Sequence, residues 1–167
     1  MSREDQLASA LQSCIPDIFL PRYTCLYIGA SVNRFFLGEK LQGTKTIVEP
    51  WTPNVSHYRD NGYLVVADDI RNAVFYLKQF DIVMWWQGPE HLPHDDISWM
   101  RKRLESLAHR YIVFAYPHGE SPQGEVGGNP YERHLSTPGR GDFPRYEHTV
   151  VDLRDGLNPC VIAWREL

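Results

Sequence analysis

Gly29, Glu49, the pair Asp68-Asp69 and the pair Trp86-Gln87 each stand directly after an apolar run, spaced about twenty residues apart. A glycine at a bend lets the backbone approach a ligand closely. A carboxylate about twenty residues further on can accept hydrogen bonds from both hydroxyls of a ribose. A third-position carboxylate can accept from an exocyclic amino group such as adenine N6. Taken singly, an acid ending a strand is as readily a solvated loop residue. In this order, the set favours an adenosine-type ligand.

Such groups must be carried by an alternation of strands and helices. Strand-like runs stand at 24–30, 44–50, 62–68, 81–87 and 110–117, rich in Val, Ile, Tyr and Trp. They do not alternate cleanly with polar residues, as expected of strands covered on both faces. Between them, "DIRNAVFYLKQF" places Ile70, Val74, Leu77 and Phe80 on one helical face. "DDISWMRKRLESLAHR" places Ile97, Met100, Leu104 and Leu107 on one stripe, with Asp95 and Asp96 at its start. That spacing predicts a helix opened by one of the two acids as cap. At the N-terminus, Leu7, Leu11 and Ile15 predict a helix capped by Ser2, within a unit of helix and connector over residues 1–20.

Strand and helix repeated at this pace give right-handed βαβ units. "EHTVVDL" and "CVIAWREL" then read as an antiparallel hairpin at the sheet edge. The expected fold is α/β: a Rossmann-like, doubly wound, mostly parallel sheet with flanking helices and a C-terminal antiparallel hairpin, one domain over 1–167. Eleven of the 24 Gly and Pro residues fall between 117 and 144, which marks that stretch as a lid or acceptor loop.

The chain of 167 residues is 43% hydrophobic and 23% charged, with a net charge of -4. Its pI near 5.9 argues against general attraction to nucleic acid or anionic membrane. Cys14, Cys25 and Cys160 lie far apart, and neither a disulfide framework nor a Cys-based zinc site is expected. No apolar run approaches the ~18 residues of a membrane span, and the charged N-terminus is unlike a secretory signal, so a cytoplasmic location is expected. No Gly-Lys-Ser/Thr phosphate loop occurs. None of the nine tyrosines has Lys four residues on, which argues against a short-chain reductase despite "GAS" at 29–31. "EHLPHDD" holds His91, His94, Asp95 and Asp96, but its HxxH spacing lacks a third fixed ligand, and no metal is expected.

The order "YIGAS…IVEP…VADDIRN…FDIVMWWQGPEHL" resembles the class I S-adenosylmethionine (SAM)-dependent methyltransferases. "PHGESPQGEVGGNPYERHLS", residues 117–136, is similar to a stretch after strand five in a subset of that family. The resemblance runs over about residues 24–155. It implies SAM as cofactor, with Gly29, Ala30 and Ser31 at its methionine end and Glu49 on the ribose. Asp68, Asp69 and Ile70 would meet the adenine, and Trp86 and Gln87 the transferred methyl. It also implies methyl transfer to an acceptor, expected to be a small molecule. An oxygen or nitrogen acceptor gains from a base with near-neutral pKa; of His134 and His118 in the 117–144 stretch, His134 is the expected base, with Asn129, Tyr131 and Glu132 orienting the acceptor. The chain departs from the family at Tyr27, where an acid is usual, and at Ser31 and Asn33, where glycines are usual. These departures leave a second reading open: a methyltransferase-like domain without catalysis, serving binding or assembly.

Overall fold

The computed structural model describes residues 3–29, 40–153 and 158–167. Ser2, Ala30 and Ser31 lie outside the described residues, as does Asn33.

Seven strands form one sheet. In chain order these are β1 (Cys25–Ile28), β2 (Lys45–Val48), β3 (Leu64–Val66), β4 (Phe80–Trp86), β5 (Ala108–Pro117), β6 (Glu147–Val151) and β7 (Cys160–Glu166). Among the described residues the α-helices are α1 (Arg3–Cys14), α2 (Thr52–Asp60), α3 (Ile70–Ala73) and α4 (His94–Leu107). The order across the sheet is β3-β2-β1-β4-β5-β7-β6. The first five strands run parallel to one another, while β7 runs antiparallel between β5 and β6. The mostly parallel sheet and the C-terminal hairpin are as expected. The edge strand, however, is β6, because β7 reaches inward to pair with β5 over Tyr111–Pro117.

Alternate residues of the strands feed two cores. One face joins Tyr27, Ile47, Met84, Trp86 and Val113 to Leu7 and Leu11 of α1 and Tyr58 of α2. The other joins Leu26, Val48, Val83, Trp85 and Phe114 to Ile97, Met100 and Leu104 of α4. The adjacent tryptophans therefore enter opposite layers, as the pleat of a strand requires. All four residues of β1 are buried, which explains its unbroken apolar run. Leu104→Ala, at a fully buried position, is expected to cost about 2–5 kcal/mol by leaving a cavity; Lys102→Ala, on the exposed side, should be near neutral. Thermal unfolding of both variants checks this.

Three local expectations need correction. The helix expected over 69–80 is confined to Ile70–Ala73. The chain continues through turns from Val74, whose β-branched side chain is followed by two aromatics, so helix propensity is low there. Phe80 belongs to β4 instead. Neither Asp95 nor Asp96 caps α4: Pro93 holds the cap position without a side-chain bond, and the two acids lie in the first turn. There they complement the helix dipole by charge alone. Helix α2 has only two buried apolar residues, Val55 and Tyr58, too few for an amphipathic stripe to stand out.

Candidate functional site

The chain leaves β1 and β4 in opposite directions across the sheet, β1 toward β2 and β4 toward β5. A crevice opens outside the carboxyl ends of strands at such a reversal. Here it is a cavity of about 390 Å³ bordered by the ends of β1, β2 and β4, the start of α3 and the 129–135 segment. That size falls in the range of small-molecule sites, about 300–1,000 Å³.

Gly29 closes β1 with φ of 77°, a left-handed conformation that favours glycine. A Cβ there would lie 3.3 Å from the Trp86 carbonyl oxygen and 3.6 Å from the Trp85 ring. A side chain would therefore occupy the approach between the two strand ends. Gln87 is one of the described non-glycine residues with positive φ, at 49°. Its N–H donates to the Ala115 carbonyl at 2.8 Å and its side-chain amide to Cys160 Sγ at 3.2 Å. The bend turns the chain sharply away from β4, and Gly88 then packs over the Trp85 indole.

Glu49, just past β2, is only 4% exposed. Its Oε1 accepts from the Trp51 N–H at 2.9 Å, ahead of α2. Burial pushes its carboxyl up to about 7 from an ordinary 4.5, against the opposing pull of the Trp51 N–H and the Asn54 side chain. A carboxylate held this dry calls for hydrogen-bond donors.

The two neighbouring acids divide. Asp69 borders the cavity and caps α3, accepting from the Arg71 N–H at 2.8 Å and pairing with its guanidinium at 2.6 Å. Asp68 is not among the cavity residues. It accepts instead from the Asp69 N–H, the Asn72 amide and the Tyr76 hydroxyl, bonds that hold its carboxyl below the usual range, with the Asn72 bond foremost.

Among the described candidates, Gly29, Glu49, Asp69, Ile70, Trp86 and Gln87 come together on this cavity. Asp68 and His134 do not line it. Successive residues of an extended chain point to opposite sides, and only one of the two acids can face in. His134 sits one layer back: its Nδ1 faces the Ser121 carbonyl and its ring stands edge-on to His91, with centroids 5.0 Å apart.

His91 is the imidazole that borders the cavity, and sequence reasoning placed it only in a weak HxxH pattern. Its Nδ1 lies 3.0 Å from the Arg133 carbonyl. Burial holds its pKa below the usual imidazole range, with a smaller opposing effect from that carbonyl. Trp85 and Gly88 also line the cavity and had no separate signal beyond lying beside Trp86 and Gln87.

The Gly- and Pro-rich stretch is fastened over this end. Leu135 and Ser136 N–H groups donate to the Glu90 carbonyl at 2.8 and 3.1 Å. The Gln123 amide donates to the Glu132 carbonyl at 2.7 Å, and Asn129, 3% exposed, accepts from the Tyr131 N–H. Asn129 and Tyr131 thus face the cavity from a braced turn. Glu90, His91 and His134 also bring potential metal-ligand atoms within 4.8 Å of one another. Among the described residues, no helix is long and apolar enough to cross a membrane.

No family model matches the chain, and no curated protein matches it in sequence. Solved structures do. Magnesium protoporphyrin IX methyltransferase from Synechocystis PCC 6803, with bound SAM, superposes with a TM-score of 0.67 at 12% identity, covering 97% of this chain and 79% of that one. A SAM-dependent methyltransferase from Archaeoglobus fulgidus gives 0.67 at 16% identity, over 97% and 94% of the respective chains. The N-methyltransferase NodS from Bradyrhizobium japonicum WM9 gives 0.64 at 11% identity, over 98% and 93%. At such identities the likeness is one of architecture, and the architecture of this chain is that of the class I SAM-dependent methyltransferases.

Proposed function

We propose that this chain binds SAM in the cavity at the β1/β4 reversal and transfers its methyl group to a small-molecule acceptor. The observation that carries the reading is the convergence of Gly29, the buried Glu49 carboxylate and the Asp69-Ile70 turn on one cavity. The residues fit the group. The bare Gly29 leaves room for close approach, Glu49 offers a dry acceptor for two ribose hydroxyls, and Ile70 offers an apolar wall to a purine. The indoles of Trp85 and Trp86 end β4 beside them, and an aromatic face suits a sulfonium cation. Ala30 and Ser31 remain assigned to the methionine end by resemblance.

SAM supplies a methyl group already activated by its sulfonium leaving group. The protein's part is then alignment, close approach and exclusion of water. The acceptor enters against the 129–135 segment, where Asn129, Tyr131 and Glu132 orient it and the braced loop keeps water out. His134 belongs to the acceptor end through its contact with His91 rather than by touching the acceptor.

One second reading has an observation in its favour. Tyr27, where the family usually has an acid, is buried in the core on the α1 side and does not reach the cavity. A domain that keeps the fold for binding or assembly would tolerate that change. Isothermal titration with S-adenosylhomocysteine separates the two: saturable binding supports the methyltransferase, and no heat at millimolar ligand with folded protein supports the alternative.

The Glu49 carboxyl adds a pH signature. Ribose hydroxyls donate to the ionised carboxylate, so the ligand binds the deprotonated form. With the free group titrating at about 7, affinity for S-adenosylhomocysteine is expected to rise about tenfold or more from pH 5.5 to 8, then level off. Titrations across that range check it; a flat profile would contradict ribose binding at Glu49.

A further inference from the structure

We infer that Glu90, His91 and His134 form a site for one divalent transition-metal ion, of the zinc or cobalt kind, at the acceptor end of the cavity. The donors come from two parts of the chain that the fold brings together. Glu90 and His91 stand on the short 3-10 turn Pro89–His91 after β4, and His134 comes from the loop after β5. One potential ligand atom from each lies within 4.8 Å of the others.

Each imidazole turns its Nδ1 to a backbone carbonyl. Nδ1 of His91 faces the Arg133 carbonyl and Nδ1 of His134 faces the Ser121 carbonyl. A carbonyl oxygen only accepts, so His134 keeps its proton on Nδ1 and its lone pair on Nε2; the second His91 nitrogen also faces a carbonyl, that of Gln87, and an ion bound there would take that contact's place. Metal-binding histidines characteristically donate their second ring N–H in this way, which fixes both tautomer and ring direction. Two imidazoles bound through Nε2 to one tetrahedral ion, with bonds of ~2.0–2.1 Å, would have ring centroids roughly 5 Å apart. The rings here are 5.0 Å apart.

The third donor is set for the same purpose. The Glu90 side chain is buried in a residue only 1% exposed, and its own carbonyl is the point where Leu135 and Ser136 are tied down. The loop bearing His134 is thereby held in register with the turn bearing Glu90 and His91. Two histidines and one carboxylate form a ligand set found in catalytic zinc sites, and its imidazoles select against magnesium and calcium. Because His91 borders the cavity, a coordination position left open would face the methyl acceptor. On the methyltransferase reading, an acceptor hydroxyl bound there would lose its proton near neutral pH. Metal binding itself does not depend on that reading.

The test uses full-length protein treated with chelator and dialysed, then titrated with Zn²⁺ by calorimetry and with Co²⁺ by visible absorption. The expected result is one ion per chain at micromolar affinity or tighter, with cobalt ligand-field bands of a low-coordinate site. His134→Ala and Glu90→Gln should each weaken binding at least tenfold, while Glu49→Gln should leave it unchanged. The wild-type cobalt spectrum keeps the test decisive if a variant fails to fold. No saturable uptake, or uptake undiminished in His134→Ala, would overturn the proposal and leave Glu90 and His134 as a buried acid–imidazole contact. Metal binding without S-adenosylhomocysteine binding would sink the methyltransferase reading alone, and the reverse result would sink the metal site alone.

Discussion

Glu49→Ala is expected to weaken S-adenosylhomocysteine binding by about 100-fold, the loss of two hydrogen bonds to a charged acceptor at ~1.5–3 kcal/mol each, partly offset by water entering the space. The carboxylate is almost fully buried, and that burial outweighs its bonds from the Trp51 N–H and the Asn54 side chain, raising its pKa to about 7. A raised folded-state pKa means that the stability linked to Glu49 is present below the unfolded value and is lost as pH rises from about 4.5 to about 7. Glu49→Gln removes that titration while keeping the shape. It should therefore melt no lower than wild type at pH 8, yet still bind the ligand poorly. Calorimetric titration and thermal unfolding of both variants at pH 8 check the pair of effects. A Glu49→Gln protein with unchanged affinity would contradict the ribose contact; a collapse in melting temperature would mean the residue holds the fold rather than a ligand.

The second large effect is expected at Gly88. A Cβ there would lie 1.6 Å from Trp85 Nε1 and 1.9 Å from its Cδ1, far inside any real contact. The indole has little room to yield: Trp85 is 5% exposed and packs near Phe114, with ring centroids 6.4 Å apart. Gly88→Ala must therefore push the ring into the cavity or shift the turn that carries Glu90 and His91. Overpacking of this kind costs about 1–3 kcal/mol and at times more. For a chain of 167 residues, that lowers the melting temperature by roughly 3–10 °C. Ligand binding should fall by at least about tenfold, because Trp85 lines the cavity. Differential scanning calorimetry and the same titration test this. Wild-type stability and affinity in Gly88→Ala would show that the turn is looser than the packing implies.

Both effects turn on features that local sequence reads unevenly. The strands β1, β4 and β5 were legible because they are buried on both faces and carry unbroken apolar runs. Helix α4 was legible because four residues at helical spacing all enter the core. Helix α2 has no such stripe, and the apolar spacing after Asp69 mimics a longer helix than the one that forms. The order of Gly29, Glu49 and the acid pair pointed to the cavity, since each follows a strand and strand ends share one side of a parallel sheet. Which of Asp68 and Asp69 faces in depends on the start of α3, a matter of one residue that spacing does not resolve. The standing of His134 behind His91 depends on a loop after β5 folding back on the turn after β4. Such a contact across some forty residues leaves no periodic trace in the chain. The burial of Glu49 is likewise a product of packing, with nothing in "TKTIVEP" to distinguish it from a wet strand end.

The most direct measurement is a crystal structure of the protein grown with S-adenosylhomocysteine. The predicted result is a single ligand in the β1/β4 crevice, its ribose hydroxyls on the Glu49 carboxylate and its adenine beside Asp69 and Ile70. Crystals grown at millimolar ligand that show the crevice without it, or the ligand bound elsewhere, would contradict the account.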